Sequence, residues 1–407
     1  GAKAILRPDF SIYRSTLKET RMYPQVSFII PCYKLAHFLA ACVNSILAQT
    51  YLDFEVLILD DCSPDNTAEV AAGFKDPRVR YLRNEVNLGH IRNYNKGIEL
   101  ARGSYIWLIS ADDSLRSQNV LQKFVGLLEQ NPQIGYVFCP AMSLRDGEEI
   151  GVEGWTNWPG NRDRILCGRE LLIRSLTACP VCAPAGLVRK ECYKRLGLFP
   201  LNLPRSGDHY LWAAFATVYD AGYFSEPMVH YRHHATNMDD TMSIENPSLY
   251  FEQELLVIWM IKKEVEKAGI FELIRDYQRR LAELYARMVV YQEAMNREYG
   301  YSLIDAQREI AANVSGWMEA REIVEMLHEI LPARLTSGHT QAGISYYKLG
   351  DLKQAIASFR SALAVDPWSL KPRIYLLSSL LERICGIRLI PLLKLLKNTL
   401  QRSLTQS

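Results

Sequence analysis

Three acidic stations stand out in this chain of 407 residues: Asp60-Asp61, Asp112-Asp113 and Asp208. Carboxylates of this kind can hold a hard divalent cation on oxygen ligands. They can accept a hydrogen bond from a ring N–H, or take a proton from a hydroxyl. A fourth cluster, Tyr231-Arg232-His233-His234, adds a guanidinium suited to phosphate oxygens and imidazoles suited to a metal. Each group also has a plain structural reading. Asp60 or Asp61 could cap the helix that contains Thr67, and Asp208 could cap the helix that contains Trp212. Ser206 or Gly207 could take that second capping role and leave Asp208 for chemistry.

The elements that must position these groups follow from patterning. Apolar runs of strand length occur at 26–30, 54–59, 79–82 and 105–109, with helix-like stretches near 36–49, 64–74 and 89–102. Runs this apolar read as buried parallel strands. Strand–helix alternation predicts an α/β sheet with right-handed crossovers. Ligands of such sheets bind beyond the carboxyl ends of the strands. That edge receives Pro31-Cys32-Tyr33, Asp60-Asp61, Asn84 to Asn87, and Ser110 to Asp113. One acidic pair at a strand end could be a cap; two on the same edge point to a ligand.

The text VSFIIPCYK, then SILAQTYLDFEVLILDDCSPDNT, DPRVRYLRNEVNLGH and ARGSYIWLISADD, resembles in order and spacing the donor half of family-2 glycosyltransferases. The resemblance extends over about the first 240 residues. It implies a GT-A, Rossmann-like nucleotide-diphospho-sugar transferase domain, and an inverting transfer from a nucleotide sugar. By that resemblance Pro31 and Tyr33 line the base pocket. Asp61, with Asp60 as the alternative, accepts the imide N–H of uracil or thymine. Asp112 ligates Mg²⁺ or Mn²⁺, and Asp113 orders the ribose and acceptor side. Here Ser110 replaces the usual first carboxylate of the metal motif. Asn87 and Gly89 match the loop before the third helix. Tyr94 stands where the family has an Arg ahead of Asn95, leaving Arg92 as a candidate phosphate contact. Asp208 matches the catalytic base that deprotonates the acceptor. Arg232 matches a residue closing over the diphosphate, and His234 fits the metal-completing position better than His233.

The remainder of the chain reads as support. Residues 130–240 mix strands and short helices into an acceptor half, with a helix expected at 207–219. Long helices are expected at 247–268, 271–298, 303–313 and 317–331, where Pro332 should break the chain. Residues 336–369, with Gly343, Tyr346, Gly350, Ala355, Phe359, Ala362 and Pro367, resemble one tetratricopeptide-like repeat, which needs neighbours to complete a stack. The expected division is an N-terminal extension (1–24), the GT-A domain (25–244), a helical domain (245–333), and the repeat with a basic amphipathic helix (334–407). The apolar stretch 389–400 with its lysines could lie on a membrane surface or pack on the repeat.

Composition narrows the partners. A net charge of +2 gives no global attraction to nucleic acid. Nine irregularly spaced cysteines fit reduced thiols and a cytoplasmic setting. Cys179 and Cys182 form one C-x-x-C; a zinc site would need two more ligands, with Cys167 and Cys192 nearest, and small buried residues are the simpler reading. No run reaches the length of a membrane span, and residues 1–22 do not read as a secretory leader. The expected partners are a nucleotide-sugar donor and a glycan, lipid-linked or protein acceptor, with peripheral membrane contact and self-association through the helical region as further expectations. The competing readings are a non-catalytic nucleotide-sugar-binding module, a nucleotidyltransferase, which would carry a Gly-rich basic loop where Pro31 to Lys34 stand, and a helical scaffold.

Overall fold

The computed structural model describes residues 23–158, 162–235, 237, 247–295, 301–314 and 317–385. The chain divides into two compact units between Glu245 and Asn246, against an expected division at 244/245. In the first unit the chain runs β1 (Val26–Cys32), α1 (Ala36–Leu47), β2 (Phe54–Asp60), α2 (Thr67–Gly73), β3 (Val79–Arg83), α3 (His90–Leu100) and β4 (Tyr105–Leu108). It continues through β5 (Ser114–Leu115), α4 (Val120–Gln130), β6 (Ile134–Phe138), β7 (Ala141–Arg145), β8 (Glu148–Val152), β9 (Arg164–Leu166) and α5 (Gly168–Ser175). It ends with β10 (Gly186–Arg189), α6 (Lys190–Leu196), α7 (Gly207–Ala216), β11 (Asp220–Tyr223) and β12 (Val229–His233).

An eight-stranded sheet has the order β3-β2-β1-β4-β10-β6-β11-β9. The four strands read from the sequence are parallel neighbours, while β10 runs antiparallel between β4 and β6. Strands β1 and β2 are buried at every residue, which is why their sequences run apolar instead of alternating. Chain order reverses between β1 and β4, so their carboxyl ends open the switch-point crevice. Pro31 is tolerated in a central strand because the β4 ladder has already ended, Ile29 being the last residue paired, opposite Leu108. A small second sheet, β5-β12-β7-β8, stands at that same end. From the eight-stranded sheet an aromatic stack runs through α4 to the residue after β11: Phe28 on Trp107 (5.4 Å), Trp107 on Phe124 (4.9 Å) and Phe124 on Phe224 (5.4 Å).

Glu55 is a charge that the apolar pattern hides. It is 2% exposed within β2, yet it accepts from Ser27 Oγ (2.7 Å), Arg102 N (2.8 Å), Arg102 Nε (2.9 Å) and Arg80 Nη1 (3.1 Å). Burial pushes its pKa up, but the Arg102 and Ser27 bonds outweigh burial and the net direction is down. The carboxylate thereby ties β1, β2, β3 and the approach to β4 together.

The second unit is all helical, at Pro247–Lys267, Ile274–Met295, Leu303–Asn313, Trp317–Leu349, Leu352–Val365 and Leu370–Cys385. The break expected at Pro332 does not occur: one helix spans Trp317–Leu349 with Pro332 inside it. Proline forfeits one backbone hydrogen bond there. Buried Ile323 and Leu327 before it, and Thr340 and Ile344 after it, anchor both halves. The expected division at 333/334 falls inside this helix. Beyond it, Gly343 permits close approach: an added Cβ would lie 2.5 Å from the Phe359 ring. Phe359 in turn packs with Ile344, Ala355 and Tyr375. The amphipathic stretch 389–400 and residues 1–22 lie outside the described residues. Among the described residues no helix is long and apolar enough to cross a membrane.

Glu55→Gln should cost about 2 kcal/mol at neutral pH, a buried-pair loss reduced because both arginines are part-exposed. Because the folded pKa of Glu55 is depressed, its stabilisation is full above the unfolded value near 4.5 and lost as pH falls through the folded value. The difference in urea-denaturation midpoint between Glu55→Gln and the parent should therefore shrink in acid.

Candidate functional site

The carboxyl edge of β2 carries two neighbouring carboxylates with different tasks. Asp60 is fully buried and accepts from Ser63 N (2.7 Å), Tyr81 OH (2.6 Å) and Arg83 Nη1 (2.6 Å). It locks β2 to β3. Asp61 faces the loop before α3 and accepts from Asn84 Nδ2 (2.7 Å), Leu88 N (2.8 Å) and Gly89 N (2.9 Å). Gly89 has φ +79° and ψ 151°, a conformation open almost only to glycine. Asn87 Oδ1 also accepts from Gly89 N (2.9 Å). Asn84 passes the network to Asn93 (3.0 Å) and Lys96 (2.6 Å). Neither acid caps α2, whose cap residue is Asn66. Beside them Pro31 is buried and Tyr33 is 40% exposed, with Lys34 Nζ 5.1 Å from the Tyr33 ring. Arg92 is exposed on α3 and makes no hydrogen bond or ion pair among the described residues.

The second corner forms after β4. Asp113 is buried and accepts from the Arg232 amide (3.0 Å). Burial and then the Asp112 charge hold its pKa well above the usual carboxylate range. Arg232 Nε donates to the Asp112 carbonyl (2.8 Å), and its guanidinium lies 4.7 Å from the Phe38 ring centre. Asp112 Oδ2 meets His234 Nε2 at 2.9 Å. Asp112 Oδ1 is buried and has no hydrogen-bond partner among the described residues. A buried carboxylate oxygen left this way is costly unless something cationic completes it. One carboxylate and one imidazole fit a divalent cation whose other ligands come from phosphate oxygens and water. Among the described residues no cluster of three or more His, Cys, Asp or Glu side chains could hold a metal unaided.

Asp208 lies in the first turn of α7, where the cap position belongs to Ser206. Its Oδ1 accepts from His209 N (2.8 Å), and the Cys179 thiol approaches Oδ2 at 3.8 Å. Burial, then the Asp113 and Asp208 charges, push the Cys182 thiol up, so both acids act on one buried side chain. Cys179, the first of the C-x-x-C pair, thus lies beside the third acidic station. The additional zinc ligands do not assemble: Cys192 donates to the Gly135 carbonyl (3.4 Å), and Cys167 is exposed at the start of α5.

Patterning gave no sign of Glu153. Its carboxylate accepts from Ser143 Oγ and meets His233 Nε2 at 2.5 Å. His233 is thus paired with Glu153, and it is His234 that meets Asp112. Asn237, also missed, accepts from His234 N and donates to the Arg232 carbonyl (2.9 Å), pinning the end of β12. Asp61→Ala should release the 87–90 loop. The amides of Leu88 and Gly89 should exchange with deuterium about tenfold faster, the equivalent of ~1.4 kcal/mol of lost local protection; unchanged exchange would mean the loop is held from elsewhere.

Residues 27–193 match the family model for Glycosyl transferase family 2. Over 120 residues the chain is 36% identical to the uncharacterized glycosyltransferase EpsJ of Bacillus subtilis, an alignment covering 29% of this chain and 34% of that protein. Over 111 residues it is 32% identical to the UDP-Glc:alpha-D-GlcNAc-diphosphoundecaprenol beta-1,3-glucosyltransferase WfgD of Escherichia coli, covering 27% and 44%. The chain thus spans less than half the length of these curated relatives. The S. aureus TarS 1–349 structure in complex with UDP superposes with a TM-score of 0.51 at 14% identity, covering 85% of this chain and 93% of that one. The fold is a GT-A α/β domain followed by a helical region.

Proposed function

We propose that the protein is an inverting glycosyltransferase that moves a sugar from a nucleotide diphosphate, UDP first and dTDP second, to an acceptor hydroxyl in glycan or cell-surface polysaccharide synthesis. The observation that carries this reading is the buried Asp112 Oδ1, without a hydrogen-bond partner among the described residues, beside His234 and Arg232 at the switch-point edge. TarS was solved with UDP bound, and WfgD is named for a UDP-sugar donor; both make a uracil nucleotide the first candidate.

In this reading Pro31, Tyr33 and Asp61 hold the base, and Asn87, Gly89 and Arg92 border the nucleotide. Asp60 contributes indirectly by fixing the strand end. Asp113 holds Arg232, whose Nη groups keep four N–H donors for phosphate oxygens. Mg²⁺ or Mn²⁺ on Asp112 and His234 would neutralise charge on the departing diphosphate. Asp208 removes the acceptor proton as the hydroxyl oxygen attacks the anomeric carbon. The bond from that carbon to the diphosphate oxygen breaks on the opposite face, so configuration inverts. The helical region, with its tetratricopeptide-like pair, serves acceptor recognition or self-association, and residues 389–400 offer peripheral contact with the inner face of the membrane.

Asp208→Asn should leave UDP affinity unchanged by calorimetry while transfer falls about 10²-fold or more, the usual worth of a general base; undiminished turnover would remove Asp208 from that role. Asp112→Ala should abolish the extra thermal stabilisation that Mn²⁺ gives with UDP over UDP alone. An unaltered increment would move the cation to other ligands.

A further inference from the structure

Phe38 is an aromatic side chain that its own helix does not commit to the core. In α1 the residues Leu39, Cys42, Val43 and Ile46 belong to the main hydrophobic cluster and Leu35 packs against it, whereas Phe38 is not part of that cluster. Its half-buried ring meets the second corner instead. The Arg232 guanidinium lies over the ring, 4.7 Å from its centre. The His234 ring is 5.2 Å away at a tilt of 43°, and the neighbouring His37 ring packs on it at 4.0 Å. One ring on α1 thus touches both of the side chains that bond Asp112, Arg232 at the carbonyl and His234 at Oδ2.

The ring is itself anchored from the other side. Phe38 N donates to the Leu35 carbonyl (3.0 Å), Ala36 N to Asp65 Oδ2 (3.1 Å) and Lys34 N to Ser63 Oγ (3.2 Å). These bonds fasten the first turn of α1 to the loop that follows Asp60-Asp61. Arg232 and His234 arrive from a distant stretch of sequence, at the end of β12. The guanidinium is bonded to Asp112 through Nε, about which its Nη groups can still swing. A π face attracts a guanidinium and restricts its rotation while leaving its N–H donors for phosphate oxygens. The same ring limits the swing of the His234 imidazole toward or away from Asp112.

Resting on the glycosyl-transfer reading, we propose that Phe38 is a positioning residue of the donor site: its ring sets the Arg232 guanidinium and the His234 imidazole against the diphosphate and its cation, and ties that corner to the strand end that holds the base. An aliphatic side chain would fill the same space without attracting the guanidinium. Phe38 acts through Arg232 and His234 and needs no contact of its own with the nucleotide.

The test measures UDP affinity of the full chain by calorimetry in Mn²⁺. Phe38→Leu keeps an apolar side chain but has no π face, and Phe38→Tyr keeps the face. Phe38→Leu should bind UDP about tenfold more weakly than the parent and Phe38→Tyr within about threefold, the range of a partly desolvated cation–π contact. In an Arg232→Gln background the same Phe38→Leu change should cost less than about threefold, because the two residues act as one unit. Parental affinity in Phe38→Leu, equal loss in Phe38→Tyr, or an undiminished penalty in the Arg232→Gln background would each overturn the positioning role while leaving the donor reading intact. Should Phe38→Leu fail to fold, Phe38→Met enters the same comparison with the same expected loss. Failure of the parent to bind UDP would instead remove the donor reading, and this inference with it.

Discussion

Arg232 joins the two sheets where the chemistry is proposed. Its amide meets the buried Asp113 carboxylate and its Nε meets the Asp112 carbonyl. Two adjacent acids at a strand end repel each other, and burial adds to the cost. A backbone N–H and a guanidinium from β12 offset part of that cost. The remaining field around Asp112 Oδ1 is what a cation and a diphosphate would relieve. Removing the link would leave only the His234–Asp112 contact and the short β5–β12 pairing to align β12 with the loop after β4.

Much of this was legible because it rests on local patterns. Largely apolar runs marked β1, β2 and β4, and the rule of carboxyl-edge binding then selected Asp60-Asp61 and Asp112-Asp113 without any distance. The rule could not assign tasks within a pair. Asp60 is tied up by Ser63, Tyr81 and Arg83, whereas Asp61 is oriented by Asn84, Leu88 and Gly89. Those donors arrive from segments that only the folded chain juxtaposes. Glu153 and His233 are eighty positions apart, beyond any periodicity. Glu55 broke the apolar pattern of β2 but carried no sign of the two arginines that neutralise it.

Pro332 shows the opposite error, a local rule applied too strongly. Its missing N–H costs one hydrogen bond, while the apolar faces on both flanks gain burial only if the helix continues. Tertiary packing therefore outweighs the local preference. The Asp208 region lies between these cases. The sequence offered base or cap; the cap position is Ser206, while Asp208 Oδ1 accepts from the first-turn amide of His209 and Oδ2 faces the Cys179 thiol at 3.8 Å.

The aromatic pile from Phe28 through Trp107 and Phe124 to Phe224 has a mechanical implication. Phe224 lies five residues before the start of β12, so the spacing of these rings sets where that strand begins, and with it the seat of Arg232 and His234. Interiors packed to crystal density transmit small displacements instead of absorbing them. A one-methylene change deep in this aromatic interior would accordingly reach the proposed phosphate-binding corner as a shift in alignment, where fractions of an ångström govern rate. Drift of the interior and tuning of the reaction are, for this chain, the same variable.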